Sequence, residues 1–280
     1  MLTFYQIWFR LGTWLWPGWA AKQAFTLFIT PQARNQKPLP PVFERAERLS
    51  WQESGDTCVG WRWNAGGKKR ILILHGFSSS ARNFAHLIEP LVNKETEVIA
   101  FDAPAHGDSE GKQIHSLRYR KFIQEIRQQW GPFDGYVAHS FGGLSLCLAL
   151  EEQPPRTSDR VVLIAPATET RSALKQLQST LRLSPRIMTR IGEAIKKRSG
   201  RTIDWFSVNR VVGGLNNPIL WIHDQQDDVT PYADILPTQQ SISGQVRFRI
   251  TAGLGHRRIY RDAEVCREIV DFLTSGYAVK

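Results

Sequence analysis

Three residues that together could activate a serine follow three separate apolar segments of the sequence. Ser140 ends "DGYVAHS", Asp227 lies in "WIHDQQDDVTPY", and His256 lies in "TAGLGHRRIY". A serine hydroxyl is a weak nucleophile and needs a base, and a neutral histidine can take its proton near physiological pH. An acid then fixes the histidine tautomer and stabilises its cation. We therefore expect a triad of Ser140, His256 and Asp227, with Asp224 and Asp228 as rival acids.

Ser140 stands between a predicted strand and the predicted helix "FGGLSLCLALEE". A serine on such a turn is held in a strained conformation that exposes its hydroxyl. Because the two backbones pass close together there, the residues two before and two after it must be small, and they are Ala138 and Gly142. The helix N-terminus favours developing negative charge. The backbone N–H groups of Phe141 and Phe77 are the expected oxyanion hole.

The elements that must position these residues alternate between strand and helix patterns. The run "RILILHGF" (70–77) is nearly continuously apolar, as is typical of a buried parallel strand. Further predicted strands are "EVIAFDAP", "FDGYVAHS", "RVVLIAPA", "PILWIHD" and "QVRFRITAG", with helices near 81–92, 116–130, 141–152 and 260–274. Residues 43–65 can form an opening hairpin. This order predicts an α/β fold with a doubly wound, mostly parallel sheet, and a ligand site at the carboxyl ends of its strands.

A basic segment over residues 168–214 interrupts the alternation. One helical face in it is apolar and another is cationic; the two sets are Ile187, Met188, Ile191, Ala194, Ile195 and Arg186, Arg190, Lys197. We predict a helical cap insertion at about 168–214 within an α/β domain of residues 42–280. An N-terminal amphipathic arm and linker, residues 1–41, precede that domain.

The net charge of +10 is concentrated in the arm and the cap. Residues 1–41 contain four cations and no acid, and residues 171–210 contain ten cations against two acids. Such segments attract anionic membranes, nucleic acids or acidic substrates. The alternative for the cap is a solvated helix face.

The arm carries four of the ten tryptophans: Trp8, Trp14, Trp16 and Trp19. No cationic segment precedes its apolar stretch, which argues against a secretory signal, and the Pro17-Gly18 break with Arg10 and Lys22 argues against a transmembrane helix. Two short amphipathic helices joined at Pro17-Gly18 fit better, followed by an extended linker at 30–41. These helices either pack on the main domain or contact a membrane interface, where tryptophan and cations are favoured.

Five stretches together resemble the α/β-hydrolase superfamily, and most closely its bacterial branch of small capped, esterase- or lipase-like serine hydrolases. They are "HGF" (75–77), "FDAPAHGDSEG" (101–111), "AHSFGG" (138–143), "HDQQDDVTP" (223–231) and "GLGHRRIYRD" (253–262). The resemblance implies Ser140 as nucleophile, His256 as base, and Phe77 and Phe141 as oxyanion donors. It also favours Asp227, because the acid of the family's "HGxxDxxVP"-like pattern follows its histidine by four residues.

Two residues depart from the family pattern. Ala138 replaces the first glycine of the serine motif, and Ala105 replaces the glycine of "DxPGHGxS". Both changes exchange one small residue for another. We expect structural roles for His139 and His106 beside these motifs, and no role for the remaining histidines His86, His115 and His223.

The resemblance implies a cofactor-independent enzyme that cleaves a carboxylic ester of a small acyl substrate through an acyl-enzyme. Amidase or peptidase, thioesterase and acyltransferase chemistry use the same triad. A rival interpretation is a peripheral membrane- or anion-binding protein with a vestigial hydrolase core. Haloalkane dehalogenation is disfavoured because it uses a carboxylate at the serine position.

Neither a metal-ligand spacing nor a glycine-rich phosphate loop occurs in the sequence, so we expect no metal and no cofactor. Nucleic acid is an unfavoured partner because no recognised binding module accompanies the charge. Three widely spaced cysteines are typical of a reducing compartment. We expect a cytoplasmic protein that associates peripherally with the inner membrane.

Overall fold

The computed structural model describes residues 16–35, 37–242 and 244–275, together with residues 6, 8, 9 and 12. Within these residues eight strands form one sheet: β1 Glu47–Glu53, β2 Asp56–Trp63, β3 Arg70–Leu74, β4 Glu97–Phe101, β5 Gly135–His139, β6 Arg160–Ile164, β7 Ile219–Asp224 and β8 Val246–Thr251. The helices of the same residues are α1 Pro17–Ile29, α2 Ala85–Asn93, α3 Ser116–Trp130, α4 Phe141–Glu152, α5 Thr170–Leu181, α6 Pro185–Ser199, α7 Val208–Val212, α8 Leu236–Ser241, α9 Gly255–Arg258 and α10 Ala263–Thr274.

The sheet order is β1-β2-β4-β3-β5-β6-β7-β8. The pairs β1–β2 and β2–β4 are antiparallel, and all other neighbours are parallel. The α/β fold with a mostly parallel sheet is therefore confirmed. The chain passes from β3 to β4 on one side and returns to β5 on the other, so the strand order reverses at β3. Open α/β sheets bind ligands at such a reversal, beyond the carboxyl ends of the strands.

The continuous apolar runs of the central strands reflect burial on both faces of the sheet. Along β3, Leu72 and Leu74 pack into the core on one face, and Ile71 and Ile73 pack into the core on the other. Helices cover both faces, so polar residues are tolerated mainly where a strand ends. The chemistry-bearing residues follow β3, β5, β7 and β8 for this reason.

Two helices begin later than the sequence pattern predicts, because side-chain carboxylates take the first N–H groups. The segment Ala81–Phe84 is a 3-10 turn whose first N–H donates to Asp102, 2.8 Å away. Helix α10 begins at Ala263 because the Asp262 carboxylate caps it by accepting from the next N–H groups, as aspartate does at helix starts.

Helices α5, α6 and α7 lie between β6 and β7, where the sequence predicts a cap insertion. In α6 the apolar side chains of Ile187, Ile191 and Ile195 are buried, while its cations are exposed. The helical content of this segment agrees with the prediction. The boundaries at 41/42 and at about 168 and 214 stay predictions.

Helix α1 packs against α6, and its residues Ala20, Ala21 and Ala24 are buried. The first helix predicted in the arm falls mostly on residues outside the described ranges. Residues 31–35 and 37–40 form no helix or strand, and Arg34 among them donates to the Ser109 carbonyl, 2.5 Å away. The extended linker at 30–41 stays a prediction. None of the helices in the described ranges is long and apolar enough to cross a membrane.

The close approach of α4 to β3 makes a specific demand on Gly142. A Cβ atom there would lie 2.6 Å from the carbonyl oxygen of His75 and 2.9 Å from that of Leu74. Because both obstacles are backbone atoms, we expect Gly142→Ala to lower the free energy of unfolding in urea by about 1–3 kcal/mol. Gly213→Ala is the matched control, since its Cβ would meet only Ile242 at 3.8 Å. Equal stabilities of the two variants would contradict the close approach.

Candidate active site

Ser140 occupies the turn between β5 and α4 in a strained backbone conformation. Its φ of 54° and ψ of −122° are unusual for a residue with a side chain. Its N–H donates to the Ile164 carbonyl on β6, which anchors the turn. Gly76 passes so near that a Cβ on it would lie 2.8 Å from the Ser140 Cβ. The serine is thus held at the carboxyl ends of β3, β5 and β6.

The Ser140 hydroxyl donates to His256 Nε2 at 2.9 Å. His256 lies on α9, a single helical turn that directly follows Leu254. The Asp224 carboxylate fixes this segment by accepting the N–H of Leu254 at 2.9 Å and the Thr251 hydroxyl at 2.8 Å. Both Ser140 and His256 are 7% exposed, so the pair is nearly shielded from bulk water.

Asp227 completes the chain, because His256 Nδ1–H donates to its Oδ2 at 2.8 Å. Its Oδ1 accepts the N–H groups of Val229 and Thr230, each at 2.8 Å. The Thr230 hydroxyl donates to Oδ2 at 2.9 Å. Burial favours a higher pKa for Asp227, but the hydrogen bond and charge of His256, with these N–H donors, hold that pKa below its ordinary value. The carboxylate therefore remains ionised and oriented towards the histidine.

The two rival acids lie elsewhere. Asp224 is fully buried and accepts hydrogen bonds from its own loop and from the segment before α9. Asp228 is exposed, and its carbonyl accepts from Gln176 on α5. Only Asp227, among these three aspartates, contacts His256.

The backbone N–H groups of Phe77 and Phe141 have no hydrogen-bond acceptor among the described residues. Phe141 is the first residue of α4, where an N–H lacks an intrahelical partner. Phe77 follows Gly76, the residue that passes against Ser140. Two unpaired donors from adjacent segments next to a serine hydroxyl can bind a negatively charged oxygen.

Buried histidines hold the segments around the serine. His106 Nε2 accepts the N–H of Ser78 at 2.9 Å, and His139 Nε2–H donates to the His256 carbonyl at 3.0 Å. Burial lowers the pKa of His106 to about 4 and that of His139 to about 3. The His106 contact requires a neutral ring, because its Nε2 can accept a hydrogen bond only when it carries no proton. The structural roles expected for both histidines agree with these bonds.

Three residues with structural roles were missed by the sequence reasoning. The Thr230 hydroxyl contacts Asp227 and lies 3.2 Å from His256 Nδ1. His223, to which we gave no role, is fully buried, donates from Nε2 to the Thr230 carbonyl at 2.8 Å, and lies 4.0 Å from Asp227. A signal was present for Thr230, because it stands at the valine of the "HGxxDxxVP"-like pattern. His115 also has a role, since its Nδ1 accepts the N–H of Arg118 at the start of α3.

No group of three or more potential metal ligands (His, Cys, Asp or Glu) occurs within the described ranges. The expectation of no cofactor stays a prediction.

Residues 66–213 match the protein-family model Hydrolase_4, described as serine aminopeptidase, S33. The chain is 24% identical to monoglyceride lipase of Rattus norvegicus over 169 residues, which are 55% of this chain and 56% of the lipase. It is 34% identical to the uncharacterized hydrolase YugF of Bacillus subtilis over 103 residues, 35% of this chain and 37% of that protein. The chain thus spans about half or less of the length of these curated relatives.

The fold is similar to that of the esterase Pf2001 of Pyrococcus furiosus. The TM-score is 0.65 at 19% identity, and the alignment covers 88% of this chain and 96% of the esterase chain. This similarity supports the α/β-hydrolase fold.

The neutral state of His106 predicts how stability depends on pH. Its folded pKa of about 4 lies below the ordinary 6.5, so the unfolded state binds more protons between these values. The stability that His106 contributes is present above pH 6.5 and is lost as the pH falls towards 4. Between pH 7 and pH 5 this loss is about 2 kcal/mol.

We expect the difference between the free energies of unfolding at pH 7 and pH 5 to be smaller by about that amount in His106→Gln. Urea titrations at both pH values measure it, and exposed His86→Gln is the control. An unchanged difference in His106→Gln would show that His106 is not held neutral.

Proposed function

The chain belongs to the Hydrolase_4 family, described as serine aminopeptidase S33, and we propose that it is a serine hydrolase that cleaves a carboxylic ester or a related acyl bond. The observation that carries this proposal is the chain of hydrogen bonds from Ser140 through His256 to Asp227, at 2.9 and 2.8 Å. These distances match the reach that a nucleophile and its general base need.

In the first half-reaction the Ser140 Oγ attacks the carbonyl carbon while its proton moves to His256 Nε2. The carbonyl π electrons move onto oxygen, which the N–H groups of Phe77 and Phe141 stabilise. Asp227 stabilises the imidazolium that forms. As the tetrahedral intermediate collapses, the bond to the leaving oxygen breaks, His256 Nε2–H protonates that oxygen, and an acyl-Ser140 remains.

In the second half-reaction a water molecule attacks the acyl carbon and gives its proton to His256 Nε2. The new oxyanion binds the same two N–H groups. Its collapse breaks the bond to Ser140 Oγ, which takes the proton back from His256, and the carboxylic acid leaves. The same residues thus serve both steps, with His256 acting as base and then as acid.

Aromatic side chains around the serine favour an apolar acyl group. The rings of Phe77 and Phe141 meet edge to face at 5.6 Å, and Tyr119 lies 5.7 Å from Phe141. Both phenylalanines are half-buried and so remain partly accessible. The name of the rat relative, monoglyceride lipase, supports an ester of a lipid-like alcohol. Amide, thioester and acyl-transfer chemistry would use the same residues.

The rival proposal is a membrane- or anion-binding protein whose hydrolase core is vestigial. Four donors saturate the Asp227 carboxylate, and a strained Ser140 points at His256. Strain of this kind costs on the order of 1–3 kcal/mol, and a vestigial core has no use for it.

The net charge of the arm and cap supports a cytoplasmic enzyme that associates peripherally with the inner membrane.

A serine-directed fluorophosphonate and a series of p-nitrophenyl esters of increasing acyl length test the proposal. We expect the probe to label folded wild-type protein at Ser140, and ester hydrolysis to fall by at least about 1,000-fold in Ser140→Ala. Mass spectrometry of the labelled peptide and initial rates measure the two effects.

Asp228→Asn is the matched control, because its exposed side chain should leave hydrolysis unchanged. Absence of a Ser140 adduct on folded protein would refute the serine mechanism. Survival of every cellular role in Ser140→Ala would favour the vestigial core.

The Thr230 hydroxyl predicts a smaller, separable effect. Thr230→Val keeps the side-chain shape but removes the donor to Asp227, so we expect kcat to fall by about tenfold with little change in KM. Thr230→Ser restores the hydroxyl and should recover most of the activity. Asp227→Asn, which removes the charge, should cost far more, about 10,000-fold. Full activity in Thr230→Val together with a loss in Thr230→Ser would mean that the methyl group, and not the hydroxyl, matters.

A further inference from the structure

Two tryptophans at the start of α1 are exposed. Trp16 is 66% and Trp19 is 45% exposed, and they lead the large apolar side chains at the surface of the described residues. The Trp19 ring lies 4.3 Å from that of Trp8, a contact that restrains it. Large aromatic rings held at a surface in this way usually mark an interaction site.

A cation of α1 is exposed on the same side as Trp19. Lys22 follows Trp19 by three residues and is also exposed, so the two lie on one side of the helix. Trp16 immediately precedes the helix as its N-cap. The buried residues Ala20, Ala21 and Ala24 lie on the other side, so only one face of this helix is fully buried.

Helix α6 extends this surface with cations. A Cβ on Gly18 would lie 3.9 Å from the Arg190 guanidinium, and Arg198 lies 5.6 Å from the Phe25 ring, so the two helices run side by side in the same direction. Arg186, Arg190 and Lys197 share the exposed face of α6. Of these three, Arg190 approaches Gly18, the residue that precedes Trp19.

The charges of this surface are not neutralised locally. Lys22, Arg186, Arg190 and Lys197 have no carboxylate partner among the described residues, and Glu193 is the single acid of α6. Elsewhere arginines are often paired: examples are Arg62, Arg70, Arg118, Arg156, Arg210, Arg247 and Arg249. A surface of solvated cations beside exposed indole rings is complementary to an anionic layer with an apolar interior.

The C-terminal end of α1, opposite to the end that carries Trp16 and Trp19, adjoins the end of the sheet where Ser140 lies. The carbonyl of Ile29, the last residue of α1, accepts the N–H of Ile114 at 2.9 Å. In the linker, Asn35 donates to the Ser80 hydroxyl at 2.9 Å. Both contacts are with loops that follow β4 and β3 at their carboxyl ends. A layer that binds α1 and α6 is thus brought near the loops around the serine.

We propose that Trp16, Trp19, Lys22, Arg186, Arg190 and Lys197, the Trp–Arg surface, dock on a bilayer that contains anionic phospholipid. Tryptophan rings are favoured at the headgroup level, and cations there gain from the negative surface potential. The proposal names the surface by which the enzyme proposed above would associate with a membrane and reach a lipid-like ester, and its biological role rests on that proposed function. Binding to vesicles, however, needs no turnover of substrate.

Flotation of the full chain with vesicles tests the surface. The vesicles are phosphatidylcholine alone, or phosphatidylcholine with about one third phosphatidylglycerol. We expect binding to the anionic vesicles, weakening as salt rises. Trp16→Ala/Trp19→Ala should lower it by at least about tenfold, and Arg186→Gln/Arg190→Gln by about 20- to 30-fold.

Lys68→Gln/Lys94→Gln removes the same charge from residues near the start of β3 and the end of α2, and should bind like the wild type. Ser140→Ala should also float like the wild type, which separates failure of docking from failure of catalysis. Circular dichroism checks that each variant is folded. The proposal is overturned if Trp16→Ala/Trp19→Ala floats like the wild type. It is also overturned if Arg186→Gln/Arg190→Gln and Lys68→Gln/Lys94→Gln lose binding equally, or if double-stranded DNA of equal charge concentration displaces the vesicles.

Discussion

The close passage of β3 against the β5–α4 turn is the constraint on which the rest of the site depends. The helix can begin beside the His75 carbonyl only because position 142 is glycine, and this approach holds Ser140 in its strained conformation. Because β3 and β5 are hydrogen-bonded neighbours, the same approach brings Gly76 and Phe77 to the serine. The positions of Ser140 and of the Phe77 and Phe141 N–H groups are therefore consequences of one packing contact, and the reversal of strand order at β3 explains why it occurs there.

The other half of the site depends on a single saturated carboxylate. Asp227 accepts four hydrogen bonds, three of them from its own loop, so its position is determined before His256 approaches. Asp224 acts on the other side of the pair by fixing the segment that carries the histidine. Asp227 thus orients the His256 ring, and Asp224 positions the backbone segment that carries it. Together they hold a nearly buried histidine against Ser140 without a flexible loop.

The sequence predicted what local pattern controls. Continuous apolar runs identified the buried strands, and the residues that follow them identified the serine and the histidine, because parallel strands bring their carboxyl ends to one edge. The acid needed the family resemblance, since three aspartates within five residues cannot be separated by pattern. The roles of Thr230 and His223 were not predicted because they depend on how one loop folds back on itself. The helical turn at His256 was not predicted because it is held by Asp224, which lies thirty residues before Leu254 in the sequence. Contacts between segments distant in sequence decide such details, and periodicity does not report them.

The arm shows why two interpretations that looked exclusive are compatible. From sequence, the N-terminal helices either packed on the main domain or met a membrane. Helix α1 buries Ala20, Ala21 and Ala24 and exposes Trp19 on its other side, with Trp16 exposed at its start. An amphipathic helix has two faces, so one can be buried while the other stays outward. The contact of α1 with α6 also brings Arg190 to Gly18, which precedes Trp19, and Trp8 restrains Trp19. A preorganised surface loses less conformational entropy on binding than a disordered segment of the same composition. The contact with α6 is thus the condition under which a short arm could bind a bilayer effectively.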